Sequence, residues 1–347
     1  MTGNEAMAEG AIRAGCTFYA GYPITPQNEI PAYMARRMPE AGGIFLQAES
    51  ELAAINMVFG AAATGARAMT SSSSPGISLK QEGISYMAGA ELPAVIVNVM
   101  RGGPGLGNIA PSQSDYFQAT RGGGHGDYRT IVLAPASVQE AYDLMSLSFE
   151  LADHYRMPVM VLGDGVLGQM MEPIVLRSRQ QAAHSRPENK GWALTGCKGR
   201  KANIIKSFFI REGDLEKFNL ILQKKYQEIK AKEQRWEEVF LAEAEIILVA
   251  YGLMARIAKG ALKRLRQKGK KVGLIRPISL WPFPIKVFKR AMENRKPKRL
   301  LVVEMSYGQM VQDVRLAVNG RYRIDFLGRA GGGVPTEEEI IKRVIAL

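Results

Sequence analysis

Cysteine is scarce in this chain, with only Cys16 and Cys197 among 347 residues. They lie too far apart in sequence to form a metal knuckle, and a chain of this length builds its core without a disulfide. Any iron–sulfur cluster must therefore belong to another chain. Long hydrophobic runs are absent too: no stretch approaches the roughly 18 to 20 apolar residues of a membrane span. No basic leader with an apolar core opens the sequence, so the expected address is the cytoplasm, with no membrane partner. Acidic residues are outnumbered, 33 against 46 basic ones, for a formal net charge of +13. The basic residues gather after residue 176, but no aromatic-interleaved basic motif accompanies them, so nucleic acid is not the expected partner. They read as a solvated face, or as one that meets an acidic protein or a phosphorylated ligand.

What the chain does contain is apolar sequence in regular periods. Hydrophobic residues make up 46% of it, enough for a large core and two domains. In the first half, short β-branched runs alternate with helical patterns, as in βα units stacked around a parallel sheet. Residues 17–21, 43–46, 66–70, 94–99, 130–134 and 158–162 read as strands. Between the second and third, Leu52, Ile55, Phe59 and Ala62 recur at helical spacing. Residues 177–245 are polar and rich in lysine and glutamate, with an exposed helix expected over 214–241. Strand-like runs return at 246–251, 271–275 and 300–303 with helical stretches between them. The expectation is an α/β protein: a parallel-sheet domain over 1–176, a connector over 177–245, and a smaller α/β domain over 246–347.

Open parallel sheets bind ligands beyond the carboxyl ends of their strands, where loops and positive helix ends collect. After the first four expected strands come Tyr22-Pro23-Ile24-Thr25-Pro26, Gln47-Ala48-Glu49, Ser71-Ser72-Ser73-Ser74-Pro75-Gly76 and Arg101-Gly102-Gly103-Pro104-Gly105. A hydroxyl, a carboxylate, a serine cluster and a guanidinium thus converge on one edge. Thr25 also suits a helix cap, with Pro26 at the first helical position. Glu51 is explained by a helix's first turn, with Ser50 as cap. Glu49 precedes that helix between apolar segments, where a carboxylate is costly unless a partner holds its proton or charge. Arg101 enters a glycine-rich loop where backbone can approach a ligand and a guanidinium can grip a carboxylate by two parallel bonds. His125, in Gly124-His125-Gly126-Asp127, is a candidate proton carrier and equally an ordinary turn histidine. Gly163-Asp164-Gly165 with Asn189 downstream imitates a metal–diphosphate signature, but Asn189 lies in a polar stretch and not at a strand end. No metal is expected on this chain.

Taken in order, Tyr22-Pro23-Ile24-Thr25-Pro26, Gln47-Ala48-Glu49-Ser50-Glu51, the loop ending at Gly76, Arg101-Gly102-Gly103-Pro104 and Gly124-His125-Gly126-Asp127 resemble the alpha subunit of 2-oxoacid:ferredoxin oxidoreductases. The stretch from Leu46 through Gly107 looks most like the 2-oxoisovalerate (3-methyl-2-oxobutanoate) type. Val303-Glu304-Met305-Ser306-Tyr307-Gly308-Gln309 resembles the transketolase C-terminal-like domain of the same subunits. The resemblance implies the pyrimidine-binding half of a thiamine diphosphate site. In it Glu49 would bond the aminopyrimidine nitrogen, and Ser74, Pro75 and Gly76 would lie against the cofactor. Thr25 and Arg101 would hold the carboxylate and keto oxygen of a 2-oxoacid. A beta subunit would bring the diphosphate half, Mg2+ and an iron–sulfur cluster, and gamma and ferredoxin-like subunits, coenzyme A and ferredoxin complete the expected partners. The implied reaction converts a 2-oxoacid, coenzyme A and oxidised ferredoxin to acyl-CoA, carbon dioxide and reduced ferredoxin. Alternatives left open are specificity for 2-oxoglutarate or pyruvate, a thiamine-dependent transferase or decarboxylase without ferredoxin, and a basic nucleic-acid-binding scaffold. A 2-oxoglutarate site calls for an added cation, and a branched-chain site for an apolar wall. Met57, Met87 and Met100 read as core.

Overall fold

A continuous apolar segment needs helices on both of its faces, and the runs of the first half are covered in that way. The computed structural model describes residues 1–176, 190–295 and 297–347. In chain order its strands are β1 (Phe18–Gly21), β2 (Ile44–Gln47), β3 (Ala68–Ser72), β4 (Ala94–Met100), β5 (Ile131–Leu133), β6 (Pro158–Asp164), β7 (Trp236–Val239), β8 (Ile246–Val249), β9 (Val272–Pro277), β10 (Ser279–Trp281), β11 (Arg299–Glu304) and β12 (Arg323–Gly328). Seven strands form one sheet in the order β10-β5-β6-β4-β3-β1-β2, and five form a second in the order β12-β11-β8-β9-β7. Each sheet is parallel except at one edge, where β10 pairs antiparallel with β5 and β7 with β9. Among the described residues, no helix is long and apolar enough to cross a membrane.

The helices of the first half are α1 (Gly3–Arg13), α2 (Glu29–Glu40), α3 (Glu51–Ala63), α4 (Ser74–Gly89), α5 (Tyr116–Thr120), α6 (Val138–Tyr155) and α7 (Gly165–Gln169). Alternation along β4 divides them between the faces. Val95, Val97 and Val99 share a core with Met7 of α1, Ile30 of α2 and Met145 of α6. Ala94, Ile96 and Met100 share the opposite core with Ile55 of α3 and with Ile77 and Ile84 of α4. Met87 and Met100 are buried and Met57 is half-buried. At the far edge β2 is poorly covered, with Ile44 58% and Leu46 37% exposed.

Three strands depart from the expected pattern. The helix expected over 214–241 ends at Lys232, and β7 follows it inside the stretch read as a connector, as an edge of the second sheet. All four β7 residues are half-buried, so Trp-Glu-Glu-Val carries no alternation to betray it. β10 belongs by sequence to the second domain yet completes the first sheet, a pairing set by β5 rather than by any period in three residues. β12, Arg-Ile-Asp-Phe-Leu-Gly, is mostly half-exposed and polar enough to read as loop. Asn189 lies outside the described residues.

The two sheets are tied through buried polar side chains. Gln113 donates from Nε2 to the Tyr251 carbonyl at 3.0 Å and accepts from the Met305 amide at 2.9 Å. Arg276 of β9, with 1% of its side chain exposed, donates to Glu140 of α6 at 2.8 Å and to Glu237 of β7 at 3.0 Å.

Candidate active site at the carboxyl edge of the first sheet

After β1 the chain runs outward to β2 and then returns past β1 to β3, so the strand order reverses there and the following loops open a crevice. Asn28 is the N-cap residue of α2, which starts at Glu29, so Thr25 does not cap it. The exposed Thr25 hydroxyl instead accepts from Asn28 Nδ2 at 3.2 Å, and its carbonyl accepts from Arg101 Nη1 at 2.9 Å. Beneath the loop, Gln27 Oε1 accepts from Ser71 Oγ at 2.5 Å, and Ser71 bonds the Tyr19 hydroxyl at 2.7 Å. Asn4 and Gln169 both donate to the Pro26 carbonyl, at 2.8 and 3.0 Å. The proline corner is thus a platform clamped from below, and Thr25 and Arg101 meet across it.

Arg101 is buried directly after β4. Nη2 donates to the Leu106 carbonyl at 3.0 Å, whereas Nε is buried with no partner. Its backbone amide donates to Ser74 Oγ at 3.0 Å, and Ser74 in turn donates to Asp115 Oδ2 at 2.6 Å. Burial raises the Asp115 carboxyl above its ordinary value, opposed by the bonds from Ser74 and Asn98. The glycine loop serves its own closure before any ligand: Gly107 has φ +63°, and a Cβ there would collide with the Gly102 carbonyl.

The two carboxylates at this edge part company. Ser50 caps α3 by accepting from the Ala53 amide at 3.2 Å, which leaves Glu49 in the connecting turn, exposed. The expectation of a desolvated Glu49 is therefore not met within this chain. Glu51, by contrast, is only 6% exposed. It opens the buried stripe of α3 that continues through Ala54, Ile55 and Val58. Its Oε1 lies beside Gly76 in the first turn of α4, where a Cβ would strike both Glu51 Oε1 and Ser72 Oγ. The hydroxyls of Ser72 and Ser73 are buried without partners. One turn further along α4, Lys80 is fully buried. Its burial lowers the ammonium to about 8, and the Glu51 charge opposes that shift.

His125 and Asp164 do not join this cluster. The His125 side chain is exposed, and its carbonyl accepts from Ser85 Oγ at 2.7 Å. Ser85 is eleven residues along α4 from Ser74, roughly 16 Å at the helical rise. Asp164 caps α7 by accepting from the Val166 and Leu167 amides at 3.0 and 3.1 Å, with burial raising its carboxyl to about 6.

Residues 9–216 match the family described as pyruvate flavodoxin/ferredoxin oxidoreductase, thiamine diphosphate-binding, and residues 244–340 match pyruvate:ferredoxin oxidoreductase core domain II. The ketoisovalerate oxidoreductase subunit VorB of Methanothermobacter marburgensis is 52% identical over 342 residues, spanning 99% of this chain and 96% of its own. The chain belongs to the pyruvate flavodoxin/ferredoxin oxidoreductase family. Within it, the 2-oxoglutarate synthase subunit KorA of Methanocaldococcus jannaschii is 36% identical over 371 residues, 99% of this chain and 98% of its own. Among solved structures, a 2-oxoglutarate:ferredoxin oxidoreductase from Magnetococcus marinus, with 2-oxoglutarate, coenzyme A and succinyl-CoA bound, aligns at TM-score 0.86 and 28% identity. That alignment covers all of this chain and 64% of the other. A split-gene transketolase aligns at TM-score 0.62 and 13% identity, a likeness of fold alone. As a 2-oxoacid:ferredoxin oxidoreductase subunit, the chain carries its thiamine diphosphate-binding domain at the amino end.

Sequence reasoning missed Glu51, Lys80 and Asp115 as members of this cluster. Spacing held a signal for the first two: Glu51 falls three, four and seven residues before Ala54, Ile55 and Val58, and Lys80 four after Gly76, each on a buried stripe. Asp115 follows an irregular loop and had no such signal.

Proposed function

We propose that this chain supplies the pyrimidine-facing half of a shared thiamine diphosphate site, in a hetero-oligomer that oxidatively decarboxylates a branched-chain 2-oxoacid to acyl-CoA, carbon dioxide and reduced ferredoxin. The observation that carries the reading is the 52% identity across 99% of the chain to a ketoisovalerate oxidoreductase subunit, against 36% for a 2-oxoglutarate synthase subunit. The geometry supports it. A buried carboxylate and two buried hydroxyls without partners, gathered at the first turn of α4, are what a flat ring with donors and acceptors on its edge would satisfy. Thiamine diphosphate, when bound, supplies the electron sink that lets carbon dioxide leave.

The residues of this chain then have distinct tasks. Glu51, rather than the exposed Glu49, holds the proton at the ring nitrogen, since a buried carboxylate keeps a fixed direction and a strong bond. Ser74, Pro75 and Gly76 form the first turn of α4 against the ring. Arg101 and Thr25 orient the 2-oxoacid, Arg101 through the guanidinium edge whose Nε lacks a partner. Lys80 is tied to Thr70 and the Glu51 carbonyl and so offers no grip to a distal carboxylate. The beta subunit brings the diphosphate half, Mg2+ and an iron–sulfur cluster. Tyr22, Leu46, Leu52, Leu106 and Ile109, all exposed at or beside this edge, are the apolar surface that such a partner would cover.

Two measurements test this. Purified from its native host, the chain should bring a smaller cysteine-rich partner and a brown chromophore, and the complex should prefer 2-oxoisovalerate to 2-oxoglutarate on the order of a hundredfold in kcat/KM. A colourless homo-oligomer, or a reversed preference, would sink the reading. Arg101→Ala should raise the KM for the 2-oxoacid on the order of ten- to a hundredfold, the worth of a charged hydrogen bond, while the KM for coenzyme A stays nearly constant. Equal rises in both would mean that Arg101 only holds the loops of Thr25 and Leu106 together.

A further inference from the structure

Lys80 occupies a position where the pattern of α4 wants an apolar residue. Gly76, Ile77, Ile84 and Met87 are buried on the same helix, and the lysine is fully buried among them. Its Nζ donates to Thr70 Oγ1 at 3.1 Å and to the Glu51 carbonyl at 3.4 Å, both neutral acceptors. Among the described residues it forms no ion pair within 4.0 Å. The Glu51 carboxylate is the one charge felt strongly enough to oppose the effect of burial on the ammonium.

A buried ammonium resting on two neutral acceptors subtracts from stability, and a methionine of similar length would occupy that volume without the desolvation. The core therefore has no use for this charge, whereas the neighbouring carboxylate does. We propose that Lys80 is a positioning residue for Glu51: it ties the first turn of α3 to β3 and α4 through the Glu51 carbonyl and serves as the buried counter-charge of the Glu51 carboxylate. With the first turn of α3 held in this way, Glu51 Oε1 stays fixed against the first turn of α4 at Gly76. The inference rests on the reading of Glu51 as the ring-facing carboxylate.

The test is Lys80→Met in the full chain assembled with its partner subunits, followed by thiamine diphosphate Kd, turnover and thermal midpoint. The cofactor Kd should rise and kcat/KM fall, each roughly ten- to a hundredfold for a misplaced carboxylate, when read at temperatures well below the midpoint of the variant, where the complex is folded. Unchanged cofactor affinity and turnover would overturn the proposal, as would a loss that only tracks a lowered midpoint. Should the variant not assemble, Thr70→Val removes one Nζ acceptor at constant volume and should raise the cofactor Kd several-fold; no change there also overturns it. Glu51→Gln separates the two failures: an active Glu51→Gln complex sinks the assignment of Glu51 itself, whereas an inactive one beside an unaffected Lys80→Met sinks only the role of Lys80.

Discussion

Glu51→Gln should lower decarboxylation by the assembled complex about a thousandfold, the scale of a lost general acid–base group, while thiamine diphosphate remains bound. Glutamine keeps the length and planarity of the side chain, so α3 and its packing against Gly76 survive, and only the capacity to hold a proton at that oxygen is lost. Glu49→Gln is the matched control. Its side chain is exposed in the turn before α3, where a neutral amide is tolerated, and its turnover should stay within about threefold of the parent, as for surface changes worth up to ~0.5 kcal/mol. Carbon dioxide release from 2-oxoisovalerate in single turnover, with the cofactor content of each preparation measured beside it, reads the difference. The reverse outcome, an inactive Glu49→Gln and an active Glu51→Gln, would mean that the partner subunit buries Glu49 and turns it into the site.

The choice between those two glutamates marks where sequence legibility ended. The sheet was readable because runs such as Ala94–Met100 are apolar on both faces, and the crevice because four such runs end in polar loops on one edge. That rule put Thr25 and Arg101 on one edge, and the structure joins them through one hydrogen bond. Glu49 lies in the turn before the Ser50 cap, and whether Glu51 faces inward is set by the phase of α3. A phase taken from Leu52, Ile55, Phe59 and Ala62 puts Leu52 inside, yet Leu52 is 48% exposed. The buried stripe runs Glu51, Ala54, Ile55, Val58, Ala62, and a shift of one residue carries the carboxylate indoors. β10 and β7 were out of reach for a different reason. Their pairing energy comes from β5 and β9, far away in sequence, and neither strand has the length to show a period of its own.

The same long-range coupling underlies the largest expected effect on stability. Arg276→Met should destabilise the chain by about 3 kcal/mol, the lower end for severing a buried ion cluster, read as a lowered denaturant midpoint. The guanidinium is buried between Glu140 and Glu237, and both carboxylates keep about a third of their side-chain surface, so water recovers part of the loss. Because Glu140 belongs to α6 and Glu237 to β7, the variant uncouples the two sheets, and unfolding should become visibly biphasic. Burial pushes Glu140 up, but the bonds and charge of Arg276 more than offset it and hold the carboxyl below its ordinary value of 4.5. A depressed carboxyl stabilises the fold above that value and loses its contribution as pH falls through the folded pKa. The parent should therefore lose this increment on acidification below about pH 4.5, and Arg276→Met should lack that part of the slope. Glu237 keeps its ion pair with Lys259 at 2.7 Å, so adding Glu140→Gln to Arg276→Met removes the stranded charge and should recover most of the stability at neutral pH. A single variant as stable as the parent, or a double variant no better than the single, would show that the cluster does not hold the sheets together.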